Sequence, residues 1–224
     1  MAGEMITFPN DSTDVSGYLC KPAGGGRSPC VIVIQEWWGL VPHIKDLADR
    51  FAGEGFLALA PDLYHGPTAT EPDGAMQLAR SLAWDSALHD LRASAKYLKA
   101  RPESNGKLGV VGFCMGGGLS FRFAAHSDAP DAAVIFYGSS PSQLDEAKSV
   151  ACPVLGLYGE TDTRITSQAP ALAEAMQAAG KPFEYRVYQG APHGFFNNES
   201  AQFDRAASED AWPRTLAFFR QHLS

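Results

Sequence analysis

Leu108-Gly109-Val110-Val111-Gly112-Phe113-Cys114-Met115-Gly116-Gly117-Gly118 is the stretch on which the reading of this chain turns. An apolar run leads into Gly112-Phe113-Cys114-Met115-Gly116, and apolar residues at helical spacing follow. The pattern is G-x-C-x-G, a nucleophile elbow of the G-x-S-x-G type with cysteine at the reacting position. Such an elbow turns a strand sharply into a helix and lifts the middle side chain above the sheet. The residues two before and two after then face each other across the turn, where only glycine avoids a collision. The Met115 N–H, at the helix N-terminus, points at the reacting atom and supplies half of an oxyanion hole. A dinucleotide-binding G-x-G-x-x-G is the rival, and it fails because Cys114 stands where the second glycine is required. The plain alternative is a glycine-rich turn holding a buried cysteine.

Outward from the elbow, strands and helices alternate. Residues 30–35, 56–60, 132–137 and 153–159 are short apolar runs, the mark of strands buried on both faces of a parallel sheet. Helical spacing predicts helices over 43–53, 75–83, 86–99, 168–179 and about 206–221, the last containing Pro213. At the N-terminus, 6–8 and 15–19 read as an antiparallel hairpin at a sheet edge, around the turn 9–12. Residues 102–106 read as a turn, and 183–188 as an outer strand. The expectation is an α/β fold: a mostly parallel central sheet, helices on both faces, an N-terminal antiparallel hairpin, and one domain over residues 1–224.

Composition narrows the classes. The chain has 224 residues, is 45% hydrophobic and carries a formal net charge of −7. An acidic chain argues against nucleic acid or an anionic membrane as partner. No run is long enough to span a bilayer, and the N-terminus lacks the basic flank and apolar core of a signal peptide. Cys20, Cys30, Cys114 and Cys152 are scattered, with no C-x-x-C pair, so neither a zinc site nor a disulfide framework is indicated. A reducing cytoplasm is the expected location.

In parallel sheets the active site forms at the carboxyl ends of the strands. Glu36, Cys114, Asp162 and His193 each follow an apolar strand there. Cys114 is the candidate nucleophile, reacting as its thiolate to give a thioester. His193, in a Gly/Pro-flanked loop, is the candidate general base and acid. Asp162 is the candidate orienting acid, with Glu160 in the same turn as its competitor. Glu36 is a second carboxylate beside the thiol, able to hold it unreactive until substrate arrives. The Trp37 N–H completes the oxyanion hole. The other histidines, His43, His65, His89, His126 and His222, read as surface or capping residues. Trp37, Trp38, Tyr64, Phe113, Tyr137, Phe195 and Phe196 also lie near strand ends and suggest an aromatic-walled pocket.

Gln35-Glu36-Trp37-Trp38-Gly39-Leu40, Ala60-Pro61-Asp62-Leu63-Tyr64, Gly112-Phe113-Cys114-Met115-Gly116-Gly117 and His193-Gly194-Phe195, in that order, resemble the dienelactone hydrolase family of the α/β-hydrolase superfamily. The resemblance implies hydrolysis of an enol-lactone by the triad Cys114, His193 and Asp162, with Glu36 gating the thiol. It implies backbone donors at Trp37 and Met115, and no cofactor or metal. Two arginines that grip the substrate carboxylate in the dienelactone-specific enzymes have no counterpart. Asn197 occupies one position; for the other, an ungapped count lands near Pro72, and Arg80 is the only arginine in that region. Neither Asn nor Pro makes a bidentate clamp. The expected partner is therefore a neutral or otherwise activated ester or lactone, with Trp38, Tyr64, Arg80, Tyr137, Phe195 and Asn197 as candidate binding residues. Alternatives are a promiscuous aryl-esterase or phosphotriesterase using the same site, and a non-catalytic binding module. A homodimer is admitted.

Overall fold

The computed structural model describes residues 3–11 and 13–224. Met1 and Ala2 of the N-terminal stretch, and Ser12 of the expected turn, lie outside the described residues. The strands are β1 (Glu4–Phe8), β2 (Val15–Cys20), β3 (Ser28–Ile34), β4 (Leu57–Pro61), β5 (Ser104–Phe113), β6 (Ala132–Phe136), β7 (Val154–Gly159) and β8 (Phe183–Tyr188). The helices are α1 (Pro42–Gly53), α2 (Pro72–Ser81), α3 (Trp84–Lys99), α4 (Met115–His126), α5 (Thr163–Thr166), α6 (Ala169–Ala178) and α7 (Arg205–His222). One sheet holds all eight strands in the order β1-β2-β4-β3-β5-β6-β7-β8. The β1–β2 and β2–β4 pairs are antiparallel, and the others are parallel. This is the α/β-hydrolase arrangement, with the N-terminal hairpin at one edge.

Strand alternation explains the two cores. Cys30, Ile32 and Ile34 of β3 pack with Leu91 of α3, Leu119 of α4 and Leu172 of α6 on one face of the sheet. Val31 and Val33 pack with Ile44 and Leu47 of α1 and Phe219 of α7 on the other. Both faces are covered, which is why these strands read as continuous apolar runs. Among the described residues no helix is long and apolar enough to cross a membrane.

Two local expectations change. β5 begins at Ser104, inside the expected turn, because Ser104 pairs with Ser28 before β5 bulges and the regular register resumes at Cys30 and Leu108. A one-turn helix, α5, precedes α6, and a 3-10 turn covers Leu144–Ser149. The last helix runs through Pro213 as one element, its start capped by Asp204, whose carboxylate accepts from the Ala207 N–H at 2.9 Å.

The elbow joins β5 to α4. Cys114 has φ 55°, a left-handed conformation unfavourable for a residue with a side chain. Its N–H donates to Phe136 O at 3.0 Å, and its carbonyl accepts from the N–H groups of Gly117 and Gly118. A Cβ added at Gly112 would lie 2.0 Å from Gly116 O. The substitution Gly112→Ala is expected to lower the unfolding free energy by about 3 kcal/mol or more. At Gly25 an added Cβ meets nothing within 4 Å, and Gly25→Ala should stay within about 0.5 kcal/mol of the parent. Urea denaturation of the two variants checks both.

Candidate active site

The ends of β3, β5 and β8 converge on one pocket of about 610 Å³. Its lining includes Glu36, Trp37 and Trp38 after β3, Cys114 at the elbow, and His193, Gly194, Asn197, Glu199, Ser200 and Gln202 after β8. Val41, Pro42 and His43 at the start of α1, with Ala69 and Thr70, complete it. Among the described residues no lysine or arginine lines it, and the two carboxylates there are Glu36 and Glu199.

His193 Nδ1 and Asp162 Oδ2 are 2.5 Å apart. Asp162, in the turn after β7, is mostly buried, whereas the imidazole is about one-third exposed. Glu160 is exposed and faces away, accepting from the Gly190 N–H at 2.9 Å. Of the two carboxylates in this turn, Asp162 is thus the one that meets the histidine.

Glu36 is 3% exposed, and its hydrogen-bond partners among the described residues are neutral. Asn197 Nδ2 donates to Oε2 at 2.9 Å, and the Tyr137 hydroxyl to Oε1 at 3.4 Å. Burial pushes its pKa up to about 7, against the pull of those two donors. Burial, followed by the nearby charge of Glu36, holds the Cys114 thiol up at about 12, so the resting cysteine is protonated. The Met115 N–H contacts that sulfur and favours the thiolate, but does not overcome the other two effects.

The candidate binding residues divide. Trp38 and Asn197 line the pocket. Tyr64, outside the lining, sits behind the elbow; its hydroxyl lies 3.1 Å from Trp37 O and 3.4 Å from Met115 Sδ, bracing the loop after β3 against the first residue of α4. Tyr137 and Phe195 are fully buried. Tyr137 packs edge-on against His193 with ring centroids 5.1 Å apart, so it supports the site from below. Phe195 packs on Tyr137 and Tyr188 within the core. Arg80 is exposed on α2 and lies outside the pocket lining, as an amphipathic helix with a single buried residue, Ala75, directs.

His43 corrects its expected surface position. It is 1% exposed, lines the pocket, and neither ring nitrogen makes a hydrogen bond of good geometry among the described residues. Burial lowers its pKa to about 4, so the imidazole is neutral. The signal was present in the chain: His43 lies one position before Ile44 on the face that also carries Leu47 and Phe51. Arg50, two turns after His43, is held with its guanidinium carbon 5.1 Å from the Phe196 ring and 4.3 Å from the Trp212 ring.

An elbow cysteine, a His–Asp pair and a carboxylate at adjoining strand ends of this sheet define a hydrolase. Residues 15–223 match the model of the dienelactone hydrolase family, and the chain belongs to that family. It is 37% identical over 232 residues to protein usf of Aquifex pyrophilus, covering 99% of this chain and 100% of that protein. It is 31% identical over 254 residues to a candidate carboxymethylenebutenolidase of Saccharolobus solfataricus, covering 96% and 97%. The crystal structure of a candidate dienelactone hydrolase from Klebsiella pneumoniae superimposes with a TM-score of 0.91 at 32% identity, covering 98% of each chain.

Glu36 gives a stability test with a definite sign. Its folded pKa of about 7 exceeds the ordinary 4.5, so the folded chain keeps a proton that the unfolded chain releases. That contribution is full below the unfolded value and is lost as pH rises through the folded one. Glu36→Gln removes the cost of the buried charge. The Tm of Glu36→Gln minus that of the parent should therefore increase by several degrees between about pH 5 and about pH 8. A constant difference across that range would contradict the raised pKa.

Proposed function

We propose that this enzyme hydrolyses activated, uncharged carboxylic esters or lactones through Cys114, His193 and Asp162, by way of a thioester. The observation that carries the reading is one pocket that presents an elbow cysteine and a histidine already bonded to Asp162, with no lysine or arginine in its lining among the described residues. A carboxylate-bearing substrate would meet Glu36 and Glu199 there rather than a guanidinium. The relatives named for carboxymethylenebutenolidase support the lactone class.

In this reading the neutral thiol is the resting state. Substrate entry brings Cys114 and His193 together, and the thiol proton passes to His193 Nε2 while Asp162 holds Nδ1. The sulfur attacks the carbonyl carbon, and the oxygen takes the displaced electron pair. That oxyanion is received by the N–H groups of Trp37 and Met115. The carbonyl then re-forms, the alkoxide or enolate leaves, and His193 returns the proton to it. Water, losing a proton to His193, attacks the thioester and releases the acid and the thiol. An activated leaving group is needed because a thiolate is itself easily expelled from the tetrahedral intermediate. Glu36 stands beside the thiol as its alternative proton partner and opposes early ionisation. A reacting thiol is best kept reduced in the cytoplasm, which is the location we propose.

The substitution Cys114→Ala should lower kcat/KM for p-nitrophenyl acetate by at least about a thousandfold, and Asp162→Asn by about a hundredfold or more. Retained activity in Cys114→Ala would sink the assignment. On the parent enzyme, a panel of simple lactones, aryl esters, activated phosphotriesters and a carboxylate-bearing dienelactone should favour the uncharged carboxylic substrates. Preference for the carboxylate-bearing lactone would overturn the proposed substrate class.

A further inference from the structure

We propose that two copies of this chain join edge to edge through β8, about a two-fold axis at Tyr185. β8 pairs with β7 along one side only, and its other side ends the sheet. The Pro182 and Tyr188 carbonyls accept from the Val154 and Glu160 N–H groups of the β7 side. The alternation of a parallel ladder turns Glu184 and Arg186 the same way. The backbone N–H and C=O groups of Phe183, Tyr185 and Val187 therefore face outward from the sheet edge. Side chains alternate as well: Phe183, Tyr185 and Val187 share one face, Glu184 and Arg186 the other. Tyr185 and Val187 are 39% and 36% exposed, among the few large apolar side chains so placed.

An antiparallel pairing of β8 with a second β8 can use these outward groups in three central registers. Centred on Tyr185, it hydrogen-bonds Tyr185 to its own copy, and Phe183 to Val187 in both directions. Glu184 then stands opposite Arg186 of the second copy, and Arg186 opposite its Glu184. Those charged pairs fall at non-hydrogen-bonded positions, where Cα atoms are closest, about 4.5 Å. Sliding by two residues sets Glu184 against Glu184, or Arg186 against Arg186, which is repulsive. One register thus satisfies backbone, apolar face and charges at once, as an isologous interface requires. The other free edge, β1, carries a single charge, Glu4, and offers no such reciprocal pair. A strand-sized contact is small, so the dimer should be reversible and concentration-dependent.

Sedimentation velocity tests the pairing, at chain concentrations up to about 200 µM. The parent chain should pass from monomer to dimer. Glu184→Arg alone and Arg186→Glu alone should each weaken the dimer by about tenfold or more, because each sets like charges opposite one another twice. The double variant should recover it, and an equimolar mixture of the two single variants should form a heterodimer. Tyr185→Lys, which sets two lysines at the axis, should also dissociate the dimer. Circular dichroism and aryl-ester turnover, which these distant residues should leave unchanged, verify folding. A parent chain that stays monomeric, a dimer indifferent to the single variants, or a mixture that does not associate would each overturn the proposal.

Discussion

Gly112 and Gly116 meet across a turn too tight for any side chain, and the groups around the pocket are positioned from that contact. An added Cβ on Gly116 would fall 2.5 Å from Gln35 O, so the first turn of α4 lies directly against the end of β3. A Cβ added on Gly117 would fall 2.8 Å from Gly138 Cα, which brings in the end of β6. Glu36 and Tyr137 are the residues next to those two approaches. The glycines of the elbow therefore do more than permit the φ of Cys114. They let neighbouring strand ends crowd the thiol from both sides, and the same crowding strips water from Glu36.

Much of this was legible before any coordinates. Continuous apolar runs announced strands covered on both faces, and G-x-C-x-G announced the strained cysteine, because both follow from local sterics. Asp162 could be preferred to Glu160 from chain order, and the geometry puts it on His193. What could not be read was the direction of side chains on the far side of the site. Tyr137 and Phe195 stand in the expected places along the chain but face the core. Arg80 is near the site in sequence and turned to solvent on its helix. His43 shares the buried face of α1, yet its polarity suggested the surface. Such outcomes depend on how helices and loops fold back over the sheet, which no short pattern encodes.

Asn197 shows how one side chain alters an electrostatic arrangement. Where an arginine would neutralise Glu36 and also attract a carboxylate, an amide does neither. It donates one hydrogen bond and leaves the carboxyl close to neutrality. The pocket that results is acidic at Glu36 and Glu199 and otherwise largely apolar or amide-lined. An uncharged guest enters such a pocket without leaving a charge unpaired.

The protonated state of Cys114 also bears on durability. Peroxide and electrophilic poisons attack thiolates and largely ignore thiols. A sulfur whose proton is retained by burial and by a neighbouring carboxylate presents little for them to attack between turnovers. Serine would be safe by its nature, and cysteine here is made safe by its surroundings. The surroundings that keep this thiol protonated thus also slow its oxidation.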